Sequence, residues 1–188
     1  DVRSQASAHE LLAKIALARR DVDAAREEAE LAQKADPTLP LPIFIEARIL
    51  YDEERYAEAL PLLQQTIAEL TRSRGHQITE LHFYAGDTLG RLQRYPEAES
   101  ELLEELKHFP QNTRASAGLA MLYQTTGRGD AASKVLADMV QTTPTPDAFA
   151  LAARVWTLFG NRQQANALRA QARRMFADPP AVQRAARH

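Results

Sequence analysis

The chain has 188 residues, 45% hydrophobic and 26% charged, with a formal net charge of −2, which is too apolar and too mixed in charge for a disordered segment. The near balance of charge gives no bias toward nucleic acid or an anionic membrane, and neither is expected as a partner. There is no cysteine, so disulfides, thiolate metal sites and cysteine nucleophiles are excluded, while cytoplasm and periplasm both remain open as compartments.

No apolar run reaches the roughly 18 residues that a membrane helix needs, and the N-terminal DVRSQASAHELL lacks a basic-then-apolar signal. Neither membrane insertion nor a secretory leader is expected. The sequence begins at Asp1 without an initiator methionine. The expectation is a processed protein or a piece of a longer one, with any catalytic or targeting segment elsewhere.

Taken in chain order, apolar residues recur at helical spacing, as in Leu12, Ile15 and Ala16 or Leu119, Leu122 and Tyr123, and no segment alternates as a strand would. The spacing predicts helix pairs over about 6–19 and 22–35, 41–53 and 56–73, 78–92 and 95–108, 112–126 and 129–141, and 147–159 and 161–176. Residues 1–5 and 179–188 are expected as flexible ends.

The five pairs are copies of one unit. A small residue in each second helix (Ala25, Ala59, Ala98, Ala132, Ala165) follows twelve residues after a small residue in each first helix (Ala13, Ala47, Gly86, Ala120, Ala153). Helices approach closely only where side chains are small, so each couple marks the crossing point of a hairpin. Successive anchors are 34, 39, 34 and 33 residues apart, and the longest gap holds the polar stretch TRSRGHQ at 71–77, a loop insertion. Twelve residues beyond the anchor, Pro37, Pro110 and Pro144 end second helices, because proline lacks the N–H a helix interior uses. Thr71 and Ala177 stand there in repeats two and five, Ala177 followed by Pro179 and Pro180.

A period near 34 residues, with Ala85-Gly86, Leu89, Tyr95, Ala98, Leu102 and Pro110 in the third unit and Leu119-Ala120, Tyr123, Ala132, Leu136 and Pro144 in the fourth, resembles the tetratricopeptide repeat family. The resemblance implies an all-α solenoid of about five helical hairpins in a right-handed superhelix. It covers 6–178 as one array, with repeats at about 6–39, 40–78, 79–112, 113–145 and 146–178. The end repeats depart from the pattern: His9 takes an aromatic position, and Ala29 and Arg169 take a bulky one, as end repeats do when an outer face meets water. Trp156, at a tyrosine-equivalent position of the last first helix, is expected in the core.

The resemblance also implies a function, the binding of a partner protein or peptide in a concave groove lined by the first helices. Carried over by position, the groove residues are Glu10, Lys14, Phe44, Arg48, Asp52, Phe83, Asp87, Arg91, Met121, Gln124, Arg154 and Thr157. The alternative for Phe44 and Phe83 is core packing. Glu10 and Asp87 stand at positions where a Lys/Asn clamp would hold a chaperone tail, and no groove Asn is present, so that ligand is not expected. Residues 139–160, MVQTTPTPDAFALAARVWTLFG, resemble repeat tails that follow sulfatase-type hydrolase domains. That implies a second reading, a structural or oligomerisation accessory of a covalently attached catalytic domain, and leaves homo-oligomerisation open.

No catalytic, cofactor or metal site is expected. The sequence has no Gly-rich phosphate loop, HExxH or GxSxG. Of His76, Glu80 and His82, the last lies roughly 200° around a helix from Glu80, so the three do not converge. The acidic run 99–106, ESELLEEL, reads as an amphipathic helix. The arginines 169, 173, 174, 184 and 187 read as helix C-terminal cations favoured by the macrodipole.

Overall fold

A computed structural model describes residues 2–73 and 77–177, and the side chains from residue 4 onward within them. These residues form ten α-helices: α1 Val2–Ala18, α2 Val22–Ala35, α3 Pro40–Asp52, α4 Tyr56–Ser73, α5 Leu81–Arg91, α6 Tyr95–His108, α7 Thr113–Thr125, α8 Gly129–Thr142, α9 Pro146–Leu158 and α10 Arg162–Phe176. No strand occurs among the described residues. The chain is an all-α solenoid of helical hairpins. Helix α1 starts at Val2, so residues 2–5, expected as a flexible end, form its first turn. His76, Pro179, Pro180, Arg184, Arg187 and the end 179–188 lie outside the described residues.

All ten small anchor residues are buried, the nine alanines at 0–1% exposure. At the third hairpin the crossing is tighter: a Cβ on Gly86 would stand 2.7 Å from the Leu102 Cγ and 3.1 Å from the Ala98 carbonyl oxygen. Only glycine lets α5 and α6 meet at that distance.

Each hairpin turns the same way. Arg20, Glu54, Gln93, Gly127 and Gly160 all have φ between 60° and 78°, and they recur with the spacing of the anchors. The residue after each donates its N–H back to the first helix: Asp21 to Ala16, Arg55 to Leu50, Arg94 to Leu89, Arg128 to Tyr123 and Asn161 to Trp156, at 2.7–3.0 Å. This is a left-handed helix cap that satisfies otherwise orphaned carbonyls. A side chain in that conformation costs roughly 1–2 kcal/mol, which glycine avoids.

The packing groups the chain into two compact units, Asp1–Ala115 and Ser116–His188. In the first, α1/α2, α3/α4 and α5/α6 are hairpins, α2 packs on α3 and α4 on α5, and the first helices α1, α3 and α5 touch in succession. Ile45, Ile49, Leu63, Leu81, Tyr84 and Leu102 are fully or almost fully buried there. Each such large apolar side chain contributes about 1.5–3 kcal/mol. The second unit has its own core of Ala117, Ala120, Leu136, Met139, Phe149, Ala152 and Val155, with Trp156 packed against its edge rather than fully inside.

Helix α5 begins at Leu81, three residues later than the apolar pattern predicts. Glu80 just before it has φ 69° and carries no side-chain cap. The cap comes from α6 instead. The Glu105 carboxylate, fully buried, accepts from the Glu80 N–H at 2.8 Å, the Phe83 N–H at 3.3 Å and the Asn112 side-chain amide at 2.8 Å. Negative charge at a helix N-terminus is favoured by the orphan N–H groups there, and these three bonds are what a buried carboxylate requires.

Candidate functional site

The first unit holds a cleft of about 740 Å³, within the size range of ligand pockets. Its sides are α1 and α3, closed by the end of α4 and the segment 77–79. Leu17, Leu39, Leu41, Phe44, Ile45 and Ile78 make it apolar, and Glu10, Lys14 and Arg48 supply its charge. The structure thus brings together four of the groove residues read from the sequence: Glu10, Lys14, Phe44 and Arg48.

Phe44 is only 7% exposed and Phe83 5%. Phe44 reaches the cleft as part of its floor and leans on Tyr84, ring centroids 6.0 Å apart. Tyr84, fully buried, in turn meets Tyr51 and Phe83 edge-on at 4.8 and 5.1 Å. The result is an aromatic spine beneath the first helices, and such pairs contribute roughly 0.5–1.5 kcal/mol each beyond burial.

Guanidinium groups cover this spine. Arg48 lies over Tyr84 at 4.3 Å, Arg114 over Phe83 at 4.5 Å, and Arg91 over Tyr56 at 4.9 Å. Each is also engaged by acids. Arg48 Nε stands 3.4 Å from Asp52, Arg114 is 2.9 Å from Glu80, and Arg91 Nε donates to Asp87 at 2.6 Å. Asp87 also accepts from the Tyr51 hydroxyl at 2.6 Å. Burial, then this hydrogen bond, pushes the Tyr51 hydroxyl well above the ordinary tyrosine range, with Arg91 pulling the other way. Arg91, one of the expected groove residues, is therefore already held by Asp87, and Arg48, another, lies within ion-pair distance of Asp52 and Glu80. Arg114 and Tyr84 belong to the same network and carry no repeat-position signal that selects them as groove residues; Tyr51 stands four residues after Ala47, as Gln124 does after Ala120, but Asp52 beside it is the residue expected in the groove.

Lys14 is different. It is exposed and has no ion pair among the described residues. Glu10 beside it is half-buried, and burial raises its carboxyl above the usual value; Lys14 lowers it in part and Asp36 adds to the rise. A second hollow of about 630 Å³ shares Arg48 and takes in Asp52, Arg20 and Arg114.

The remaining groove residues lie in the second unit. Met121, Gln124, Arg154 and Thr157 are all exposed, and Thr157 accepts from Arg169 at 3.2 Å. No three His, Cys, Asp or Glu side chains are placed to hold a metal ion among the described residues. His82 pairs instead with Glu101 at 2.6 Å, and Glu80 with Arg114. No helix of the described residues is long and apolar enough to cross a membrane.

Stacked hairpins with small crossing residues, a repeated left-handed turn and a cleft on the first helices define a helical-repeat protein. Tetratricopeptide-repeat family profiles match residues 2–40 and 91–155, and the chain belongs to that family. No curated protein matches the sequence. Among solved structures, TTC0263, a thermophilic TPR protein of Thermus thermophilus, aligns with a TM-score of 0.71 at 18% identity over 95% of each chain. The type IV pilus biogenesis factor PilW also aligns at 0.71, with 20% identity over 96% of this chain and 82% of that one. YrrB, a TPR protein with an unusual peptide-binding site, aligns at 0.61, with 18% identity over 96% of this chain and 91% of that one. At these identities the likeness is one of fold.

Proposed function

We propose that the chain is a protein-interaction scaffold and that the cleft between α1 and α3 holds a segment of its partner. The observation that carries this is the cleft's composition: an apolar floor of Leu41, Phe44 and Ile45 beside Lys14, a cation with no ion pair among the described residues. Such a site suits a peptide that seats one large apolar side chain on the floor and directs an acidic group to Lys14. The arginines play a different part. Of them only Arg48 lines the cleft; stacked on Tyr84 and within ion-pair reach of Asp52 and Glu80, it stiffens that wall, and a stiff wall spares the ordering cost that binding otherwise carries. The peptide-binding site of YrrB supports the same class of ligand by analogy of fold.

The test is a selection of binders from a random-peptide display library on the full chain, followed by fluorescence anisotropy with two variants. Lys14→Glu reverses the charge at that position, and Leu39→Asp removes apolar lining while placing a favoured capping residue at the start of α3. Selected peptides are expected to carry an apolar anchor next to an acid and to bind each variant roughly tenfold more weakly, about 1.4 kcal/mol. Peptides that bind both variants as tightly as the native chain would sink the reading.

A further inference from the structure

The net charge of −2 conceals a division. Residues 1–115 hold 14 Lys and Arg against 21 Asp and Glu, a formal −7; residues 116–188 hold 9 against 4, a formal +5. The cationic excess is concentrated on one helix, and an exposed acidic face lies on another. Helix α10 contains Arg162, Arg169, Arg173 and Arg174 and no acid at all. Arg162, Arg169 and Arg173 fall at i, i+7 and i+11, one face of the helix, and all three are exposed with no carboxylate at ion-pair distance among the described residues. On α2, Asp23, Glu27 and Glu30 fall at i, i+4 and i+7, again one exposed face, on which only Glu30 has a cation nearby, Lys34 at 3.8 Å.

We propose that the arginine face of α10 docks on the acidic face of α2 in a second copy of the chain. The acidic counterpart is present in every molecule at equal concentration, and its stripe has the right sign and a similar helical repeat. Unit two also exposes Leu158 and Met175, and a mixture of arginine with methionine and aliphatic side chains is typical of protein interfaces. No aromatic residue stands between the three arginines on their face of α10, as stacking on single-stranded nucleic acid would require. This contact is independent of the α1–α3 cleft.

The experiment is sedimentation equilibrium of the full chain over a wide concentration range, at low salt and near 1 M salt, where screening contracts to about 3 Å. The native chain is expected to rise from one chain mass toward two or more with concentration at low salt and to remain at one chain mass at high salt. The triple variants Arg162→Glu/Arg169→Glu/Arg173→Glu and Asp23→Lys/Glu27→Lys/Glu30→Lys, each verified as folded by circular dichroism, are each expected to stay at one chain mass. Mixed in equal amounts they regain association, because each then meets a face of opposite sign. A single chain mass for the native protein at every concentration overturns the proposal, as does association that survives in either variant alone. A mixture that fails to associate also overturns it. Titration of the same samples with a DNA duplex or with phosphatidylserine vesicles identifies a polyanion as the occupant of α10 if the native chain binds while staying at one chain mass.

Discussion

The two compact units use one hairpin in two chemical styles. In the first, the turn position with positive φ is filled by Arg20, Glu54 and Gln93; in the second it is filled by Gly127 and Gly160. The first unit is laced with ion pairs from Arg26, Arg48, Arg55, Arg72, Arg91, Arg94 and Arg114, several over aromatic rings, whereas Arg154, Arg162, Arg173 and Arg174 of the second find no acid among the described residues. The difference teaches that the backbone of the repeat is set by small residues and turns, which both units share. Its side-chain networks are local, and they are where the two units diverge.

The comparison breaks hardest at Glu105, for which the second unit has no counterpart: the same position after the anchor of α8 is Met139, buried in an apolar cluster. Glu105→Ala would orphan the N–H groups of Glu80 and Phe83 and the Asn112 amide, and is expected to cost the first unit about 3–5 kcal/mol in urea unfolding. A loss below about 1 kcal/mol would show the cap to be dispensable. Next in size is Gly86→Ala. Leu102, whose Cγ the new methyl would crowd, is buried, so overpacking of about 1–3 kcal/mol is expected. Gly90→Ala one turn on, where the nearest atom is 4.0 Å away, is expected to stabilise by about 0.5–1 kcal/mol.

Exchanging the turns sharpens the contrast further. Gln93→Gly removes a left-handed side chain and is expected to raise stability, and Gly127→Gln to lower it, each by about 1 kcal/mol, read as opposite shifts in the urea midpoint. The smallest effect is electrostatic. Burial raises the Glu10 carboxyl in the folded chain above its unfolded value near 4.5, so the folded state holds the proton more tightly there. Its contribution is greatest below pH 4.5 and is lost as pH rises from there through the folded value. Glu53, Glu58, Glu97 and Glu104 are lowered by basic partners, chiefly arginine, and act with the opposite sign. The informative quantity is therefore the difference between the native chain and Glu10→Gln, which is expected to narrow as pH falls through that window.

Most of the fold was legible because it rests on periodic, local features. The ten anchors, the prolines and the helical spacing of apolar residues place eight of the ten helices within one residue of their observed bounds; α1 begins four residues earlier and α5 three later. The late start of α5 has a cause outside the local pattern. Ile78 and Leu81 share helical spacing, yet α5 starts only at Leu81, because the Glu105 carboxylate catches the chain at Glu80. Glu105 itself sits in a run that alternates acids with leucines; its register, seven residues after the Ala98 anchor as Met139 is after Ala132, marks a buried position, but nothing in the run shows which groups that acid caps. The candidate site was legible in part. Position in the repeat selected Glu10, Lys14, Phe44 and Arg48, which do line one cleft, but it cannot tell an exposed cation such as Lys14 from one stacked and paired such as Arg91. That distinction depends on Tyr51, Tyr56 and Asp87, which lie on two successive hairpins.

The most direct measurement is methyl-resolved NMR of the full chain titrated with a selected peptide. Shifts concentrated at the Leu17, Leu39, Leu41 and Ile45 methyls, which line the cleft, are the predicted result. Shifts confined to residues 116–177, with those four methyls unmoved, would contradict the account.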